Sequence, residues 1–167
     1  MRGLLTAADP GDAAAIAALQ NAVASQLTQQ FGIGHWSSAA TDKGVRAGMK
    51  RASVFIVRDA DRIVATLTLA TRKPWAIDRR FFTPVATPIY LISMAVDPER
   101  QRAGLGRACV AEALEICRER PVDSVCLDAY DTAAGAGDFY RKCGFTEVGR
   151  STYRNTPLIY FEMLVKI

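Results

Sequence analysis

Apolar side chains recur at helical spacing early in the chain: Ile16, Leu19, Val23 and Leu27 mark one face of a segment that opens at Asp9-Pro10 and closes at Phe31-Gly32. Asp9 can cap a helix whose first residue is Pro10, a position that suits proline's preset φ and missing N–H donor. Gly32 and Gly34 then break the helix. A short strand precedes it, and a second, shorter helix is predicted over Asp42 to Lys50. Two β-rich runs follow, Ser53 to Arg58 and Arg62 to Ala70, and Asp59-Ala60-Asp61 turns one back on the other as an antiparallel hairpin.

Lys73 to Pro88, the segment densest in proline, reads as a long loop. Ile89 to Val96 is a third strand ended by Asp97-Pro98, and Leu105 to Glu119 is a helix that stops before Pro121. Ser124 to Tyr130 is a fourth strand. A helix from about Gly135 to Cys143 ends at Gly144, a residue that takes the left-handed C-terminal conformation without a Cβ penalty. Glu147 to Tyr153 and Leu158 to Val165 complete the pattern. The order helix, helix, three strands, helix, strand, helix, two strands implies an α+β (mixed α/β) fold, a mixed sheet with helices on its faces.

The chain has 167 residues, half of them hydrophobic, and no linker or repeat divides it, so residues 1–167 read as a single domain. No apolar run approaches the roughly 20 residues that span a bilayer, and no signal-peptide core follows Met1. A cytoplasmic protein without a membrane partner is therefore expected. Cys109, Cys117, Cys126 and Cys143 form no CxxC pair and sit in apolar periodic segments, which reads as buried thiols, with no metal site. The net charge of +4 and pI near 9.0 favour an anionic partner. The arginines occur singly or in pairs such as Arg79-Arg80, without the clustered face a nucleic-acid partner would need.

The candidate chemistry begins where Leu91-Ile92-Ser93-Met94-Ala95-Val96 runs through Asp97-Pro98-Glu99-Arg100 into Gln101-Arg102-Ala103-Gly104-Leu105-Gly106 and then a helix. The first turn of a helix carries unpaired N–H groups and a partial positive charge, and glycines let a ligand approach, so a pyrophosphate can bind there. The segment lacks the Gly-Lys-Ser/Thr of a P-loop and the spacing of GxGxxG. The alternative is a tight strand-to-helix turn and nothing more.

The second feature is Phe139-Tyr140-Arg141-Lys142-Cys143-Gly144-Phe145. Phe139 and Cys143 lie at i, i+4 and are expected to face the core, leaving Tyr140 one position off that stripe and aimed at a cleft. A phenol with a pKa of about 10 can protonate a departing thiolate. The alternative is an ordinary half-buried tyrosine with its hydroxyl in water.

Together these segments resemble the GNAT superfamily of acyl-CoA-dependent N-acyltransferases. Gln101, Gly104 and Gly106 match its Q/RxxGxG/A signature, Tyr140 with Gly144-Phe145 matches YxxxGF, and Gly149 is the glycine that often follows. The resemblance covers about Ile89 to Arg150. It implies a splayed mixed sheet flanked by helices on both faces, in which the strand ending at Val96 parts from Ser124 to Tyr130 and leaves a slot for the pantetheine arm of acetyl-CoA. Main-chain groups of Met94, Ala95 and Val96 would pair with that arm. The amides of Gln101, Arg102, Ala103, Gly104, Leu105 and Gly106 would cradle the pyrophosphate, with Arg107 and Lys142 among the basic residues near the phosphates. Tyr140 would face the thioester sulfur as general acid. The implied reaction is direct attack by a primary amine, of a small molecule or a protein, on the thioester carbonyl, without metal or acyl-enzyme. A non-catalytic acyl-CoA-binding sensor or interaction module of the same fold is the alternative.

Two departures from the pattern stand out. Tyr90 to Val96 contains no carboxylate, where many members carry a base; water or Asp128 on the next strand is left for that role, with a purely structural Asp128 as the alternative. Ala133 stands where many relatives have an asparagine, with Asp131 or Thr132 as substitutes. His35 lies between the first two helices, where relatives often place part of the acceptor pocket, and either contacts substrate or only hydrogen-bonds locally. Trp36, Trp75, Phe81 and Phe82 share that ambiguity, and the Lys73 to Pro88 loop is expected to line the acceptor site. Leu158 to Val165 is apolar enough to be a homodimer interface or a plain core strand.

Overall fold

A computed structural model describes residues 3–165. Over the described residues the protein is a mixed α/β fold of seven strands and four α-helices, with both antiparallel and parallel strand pairs. Its chain forms two compact units, Met1–Leu69 with Ile92–Glu112 and Ala70–Leu91 with Ala113–Ile167. The strand Pro88–Val96 and the helix Leu105–Arg118 are thus each divided between the two.

In the first unit, β1 (Thr6–Ala7) pairs antiparallel with β2 (Ser53–Asp59), which pairs antiparallel with β3 (Arg62–Ala70). The hairpin turns on Ala60-Asp61, with Ala60 at φ 53°. Asp9 caps a 3-10 turn at Pro10–Asp12, accepting from Gly11 N at 2.8 Å while its own amide donates to Asp12 at 2.9 Å. That turn flows into α1 (Ala13–Phe31), which Gly32 ends at φ 83°. The apolar stripe read from the sequence is real: Ile16 and Leu19 are buried and pack in one cluster with Ile56, Ile63 and Ala95, and Val23 leans on its edge. Thr41 caps α2 (Asp42–Met49) by accepting from Gly44 N at 3.0 Å.

In the second unit, β4 (Pro88–Val96) runs parallel to β5 (Ser124–Tyr130) from Pro88↔Ser124 to Tyr90↔Cys126. β5 then pairs with β7 (Thr156–Leu164), which pairs with β6 (Thr146–Tyr153), both antiparallel. The β6–β7 hairpin turns on Arg154-Asn155, both at positive φ. α3 (Leu105–Arg118) enters this unit from Ala113 onward, and α4 (Gly137–Lys142) lies within it. The last strand is a core strand: β7 is paired on both sides and Leu158 through Glu162 are buried, so its own edges are not open to a partner chain.

Cys109, Cys117 and Cys126 are buried free thiols and Cys143 is half-buried. Burial, with Glu112 nearby, pushes the Cys109 thiol up to about 11, and burial raises Cys117 and Cys126 as well. Thiols held protonated in this way are packing groups, poor as nucleophiles.

Candidate functional site

The exit from β4 is pinned by Asp97. Its amide donates to Val64 O at 2.8 Å, its carboxylate accepts from Glu99 N at 2.9 Å and from the Arg62 guanidinium at 2.7 Å, and its carbonyl accepts from Arg100 N at 2.8 Å. Arg100 in turn pairs with Asp59. Gln101 is a clamp: its side-chain amide donates to Val96 O at 3.0 Å and to Gln26 at 2.9 Å. The side chain of the signature glutamine therefore holds the loop, and its contribution to a ligand is left to the main chain.

Past this clamp the backbone takes left-handed turns at Arg102 (φ 63°) and Gly104 (φ 87°). Gly104 O accepts from Ala108 N at 3.0 Å, which makes Gly104 the cap of α3. The amides of Leu105, Gly106 and Arg107 then precede the first donor of the helical ladder. A Cβ on Gly104 would meet nothing within 4 Å, so Gly104 itself faces open space at the start of α3. Arg102, Ala103 and Arg107 are exposed around it. Donors in the open, a helix dipole and exposed guanidinium groups fit a pyrophosphate.

Strain marks the same stretch. Besides Arg102, four described non-glycine residues have positive φ, and three of them, Ala60, Arg154 and Asn155, form hairpin turns. The other is Ser93, at φ 53° within β4. A left-handed serine in a strand costs on the order of 1–3 kcal/mol and points to function. It interrupts the alternation of the strand, leaving Ser93 exposed, Met94 and Val96 half-buried and Ala95 buried.

Tyr140 corrects the helical-stripe expectation. With Gly137 it is buried in α4, 8% exposed, while Phe139 and Cys143 are only half-buried. α4 spans only Gly137–Lys142, too short for an i, i+4 stripe to set its orientation, and the aromatic neighbours decide instead. Tyr140 meets Phe139 and Phe145 edge-on at 5.1 and 5.8 Å and lies 6.3 Å from Phe161. Burial first, then Cys143 and Asp128, raise the phenol above its ordinary value, so it is a proton donor at neutral pH. Asp128 is itself raised by burial, and Tyr130 is raised by burial and by Asp128. Among the described residues Asp128 has no ion-pair partner. Asp131 is committed to Arg150 at 3.1 Å, and Thr132 and Ala133 are exposed. Lys142 is exposed, whereas Arg141 is tied to Asp138 and Glu147 at 2.7 and 3.1 Å.

The Lys73 to Pro88 loop is a packed strap. Phe81 and Phe82 lie 5.4 and 5.3 Å from the buried Tyr160 ring, the Tyr160 hydroxyl donates to Ala76 O, and Thr83 donates from its amide and hydroxyl to buried Glu162 at 3.1 and 2.6 Å. Together with β6 it borders an open cavity of about 390 Å³ that Trp75, Arg79, Ser151 and Tyr153 help to line. Trp75 is 84% exposed. Sequence reasoning missed Tyr160 as the hub of this strap; an isolated tyrosine inside an apolar run gives no signal of its partner.

The sequence profile of the Acetyltransferase (GNAT) family matches residues 20–145. The chain belongs to the GNAT acetyltransferase family. No curated protein matches it in sequence. In fold it is similar to the ribosomal-protein-S18-alanine N-acetyltransferase of Escherichia coli, with a TM-score of 0.72 at 18% identity over 98% of this chain and 94% of that one. It is similar to yncA of Salmonella typhimurium, solved with acetyl-CoA, with a TM-score of 0.71 at 15% identity over 97% and 93%. An aminoglycoside 6'-acetyltransferase type Ii gives 0.69 at 16% identity over 98% and 97%. The first and third of these are named for different acceptors while scoring alike, so the fold does not name one; membership of the family supports acyl transfer in general. Within this GNAT chain the family's glycine signature falls on the open α3 cap. Among the described residues no helix is long and apolar enough to cross a membrane.

Proposed function

We propose that the protein is an N-acetyltransferase that moves the acetyl group of acetyl-CoA to a primary amine. The observation that carries this reading is the α3 cap, where left-handed Gly104 faces open space beside unpartnered amides. Leu105, Gly106 and Arg107 would bind the CoA pyrophosphate through their N–H groups, Gln101, Arg102 and Ala103 would shape the loop beside it, and Arg107 and Lys142 would offset phosphate charge. Main-chain groups of Met94, Ala95 and Val96 would hold the pantetheine amides and polarise the thioester carbonyl, a role for which the strain at Ser93 pre-aims the backbone.

The neutral amine attacks the carbonyl carbon, the C–N bond forms, the C–S bond breaks, and the proton lost by nitrogen ends on sulfur. Tyr140 is the general acid. Burial keeps the phenol protonated at neutral pH, and it gives that proton to the sulfur as the C–S bond breaks. The phenolate so formed is reprotonated, by way of solvent, with the proton that the attacking nitrogen loses, so the net change is one proton moved from nitrogen to sulfur.

The test is release of free CoA thiol from acetyl-CoA in the presence of a panel of primary amines. Amine-dependent release with a matching mass gain on the amine supports the reading. Saturable CoA binding without such release would make the chain a binding module instead.

A further inference from the structure

The first unit contains a groove whose lining says what kind of amine it admits. One cavity, of about 230 Å³, lies against β4 at Ser93, Met94 and Ala95. A second, of about 620 Å³, continues along α1 toward Ile33. The two share Ala24 and Ala39 and so adjoin on α1, the smaller reaching the strained segment of β4 and the larger reaching Ile33. Among the described residues, no side chain lining either cavity carries a charge.

Hydrogen bonds fix α1 against the segment that follows it. On one side Gln20, Val23, Ala24 and Leu27 present one face of α1. On the other, Asn21 ties down Ala40 like a strand partner, donating to its carbonyl at 3.0 Å and accepting from its amide at 2.7 Å. Ser37 bonds Thr28 at 2.6 Å and accepts from Gly34 N at 3.0 Å, and the Trp36 indole donates to Gly32 O at 2.9 Å. Trp36, not its neighbour His35, faces the groove. At the outer end Ile33 is 90% exposed, an apolar side chain with nothing over it.

A polycation entering such a groove would shed water from each ammonium and meet no carboxylate in return. A slender uncharged chain would cover Ile33, Leu27 and Val23 at a gain of about 25 cal/mol per Å². The same desolvation favours the neutral form of a single amine at the inner end, which supplies a nucleophile where β4 offers no base. We infer that the acceptor is a monoamine on a slender, uncharged and largely apolar body, seated along α1 with its nitrogen at Ser93 to Ala95. This rests on the acyl-transfer reading and names its acceptor class.

The protein has two tryptophans, so Trp75→Phe leaves Trp36 as the reporter of the groove. In that variant, with CoA present, n-hexylamine and spermidine are titrated against Trp36 emission, and thiol release is followed in parallel with acetyl-CoA. The expected result is a saturable response to hexylamine at a concentration at least tenfold below spermidine, with Ala24→Glu reversing the order. Spermidine binding as well as hexylamine, no Trp36 response to either, or an unchanged order in a folded Ala24→Glu variant would overturn the inference. The expected Trp36 response without thiol release would keep the groove's selectivity and remove the transfer reading. Thiol release with spermidine as the preferred amine would do the reverse.

Discussion

The turn from Val96 into α3 offers main-chain amides to open space, whereas Tyr140 offers a side-chain hydroxyl from a packed aromatic nest. The first region is exposed, strained at Arg102, and held by Asp97 and Gln101 from behind. The second is buried among Phe139, Phe145 and Phe161 and carries no backbone strain at the tyrosine itself. A site made of backbone binds through shape and dipole and tolerates changes in neighbouring side chains. A site made of one hydroxyl depends on that atom.

The largest effect should therefore come from removing it. Tyr140→Phe keeps the ring and its edge-on contacts, so folding and acetyl-CoA affinity should stay near wild type. Turnover should fall by roughly 10²-fold or more, the typical loss of a positioned acid. A thioester whose thiolate leaves without help should be much less affected. Near-wild-type turnover, measured where chemistry limits the rate, would remove Tyr140 from the mechanism.

At the backbone site the matching change is Gly104→Val. A valine at φ 87° is strained, and its branches would occupy the open space beside the start of α3. CoA affinity should weaken by about tenfold or more, or 1.4 kcal/mol per tenfold. Calorimetry on folded protein checks this, and unchanged affinity would move the pyrophosphate elsewhere.

The same contrast explains what could be read from the sequence. Gly104 and Gly106 announce the α3 cap because glycine spacing at a strand-to-helix junction is a local backbone requirement. Strand ends at Asp97-Pro98 and the helix stop at Gly32 were legible for the same reason. Tyr140 was misjudged because its burial is set by Phe145 and Phe161, contacts that no local period encodes. Gln101 was legible as a motif residue but not as a clamp, since its partners Gln26 and Val96 O belong to other elements. The strap of Lys73 to Pro88 looked like a loop because its order comes from Tyr160 and Glu162, far along the chain.

A smaller effect should come from the seam between that strap and β6. A Cβ on Gly149 would stand 2.2 Å from the ring of Phe81, so the ring must move. Phe81 is partly exposed and has somewhere to go, which keeps the expected cost of Gly149→Ala near the lower end of the about 1–3 kcal/mol for overpacking. In the Phe81→Ala background that cost should vanish. Denaturant unfolding of the double-mutant cycle measures it, and additive losses would mean that Gly149 serves the backbone and not the ring.

Asp128 should give the smallest change in rate and the most informative change in stability. Burial raises its carboxyl above the ordinary value of about 3.9, so the folded chain holds a proton that the unfolded chain has released. Stability contributed by this group is then fully present at low pH, falls as pH rises from the unfolded value through the raised folded one, and stays reduced above it. Asp128→Asn removes that loss. The variant should be more stable than wild type at neutral pH, and its advantage should close as pH drops below the ordinary carboxylate range, as melting curves across pH would reveal. If the acceptor's nitrogen is deprotonated by water or by desolvation in its groove, turnover should stay within a few fold and follow the acceptor's own ionisation. A large loss of turnover with intact folding and CoA affinity would instead make Asp128 the base, and would join the packed site and the proton's path into one.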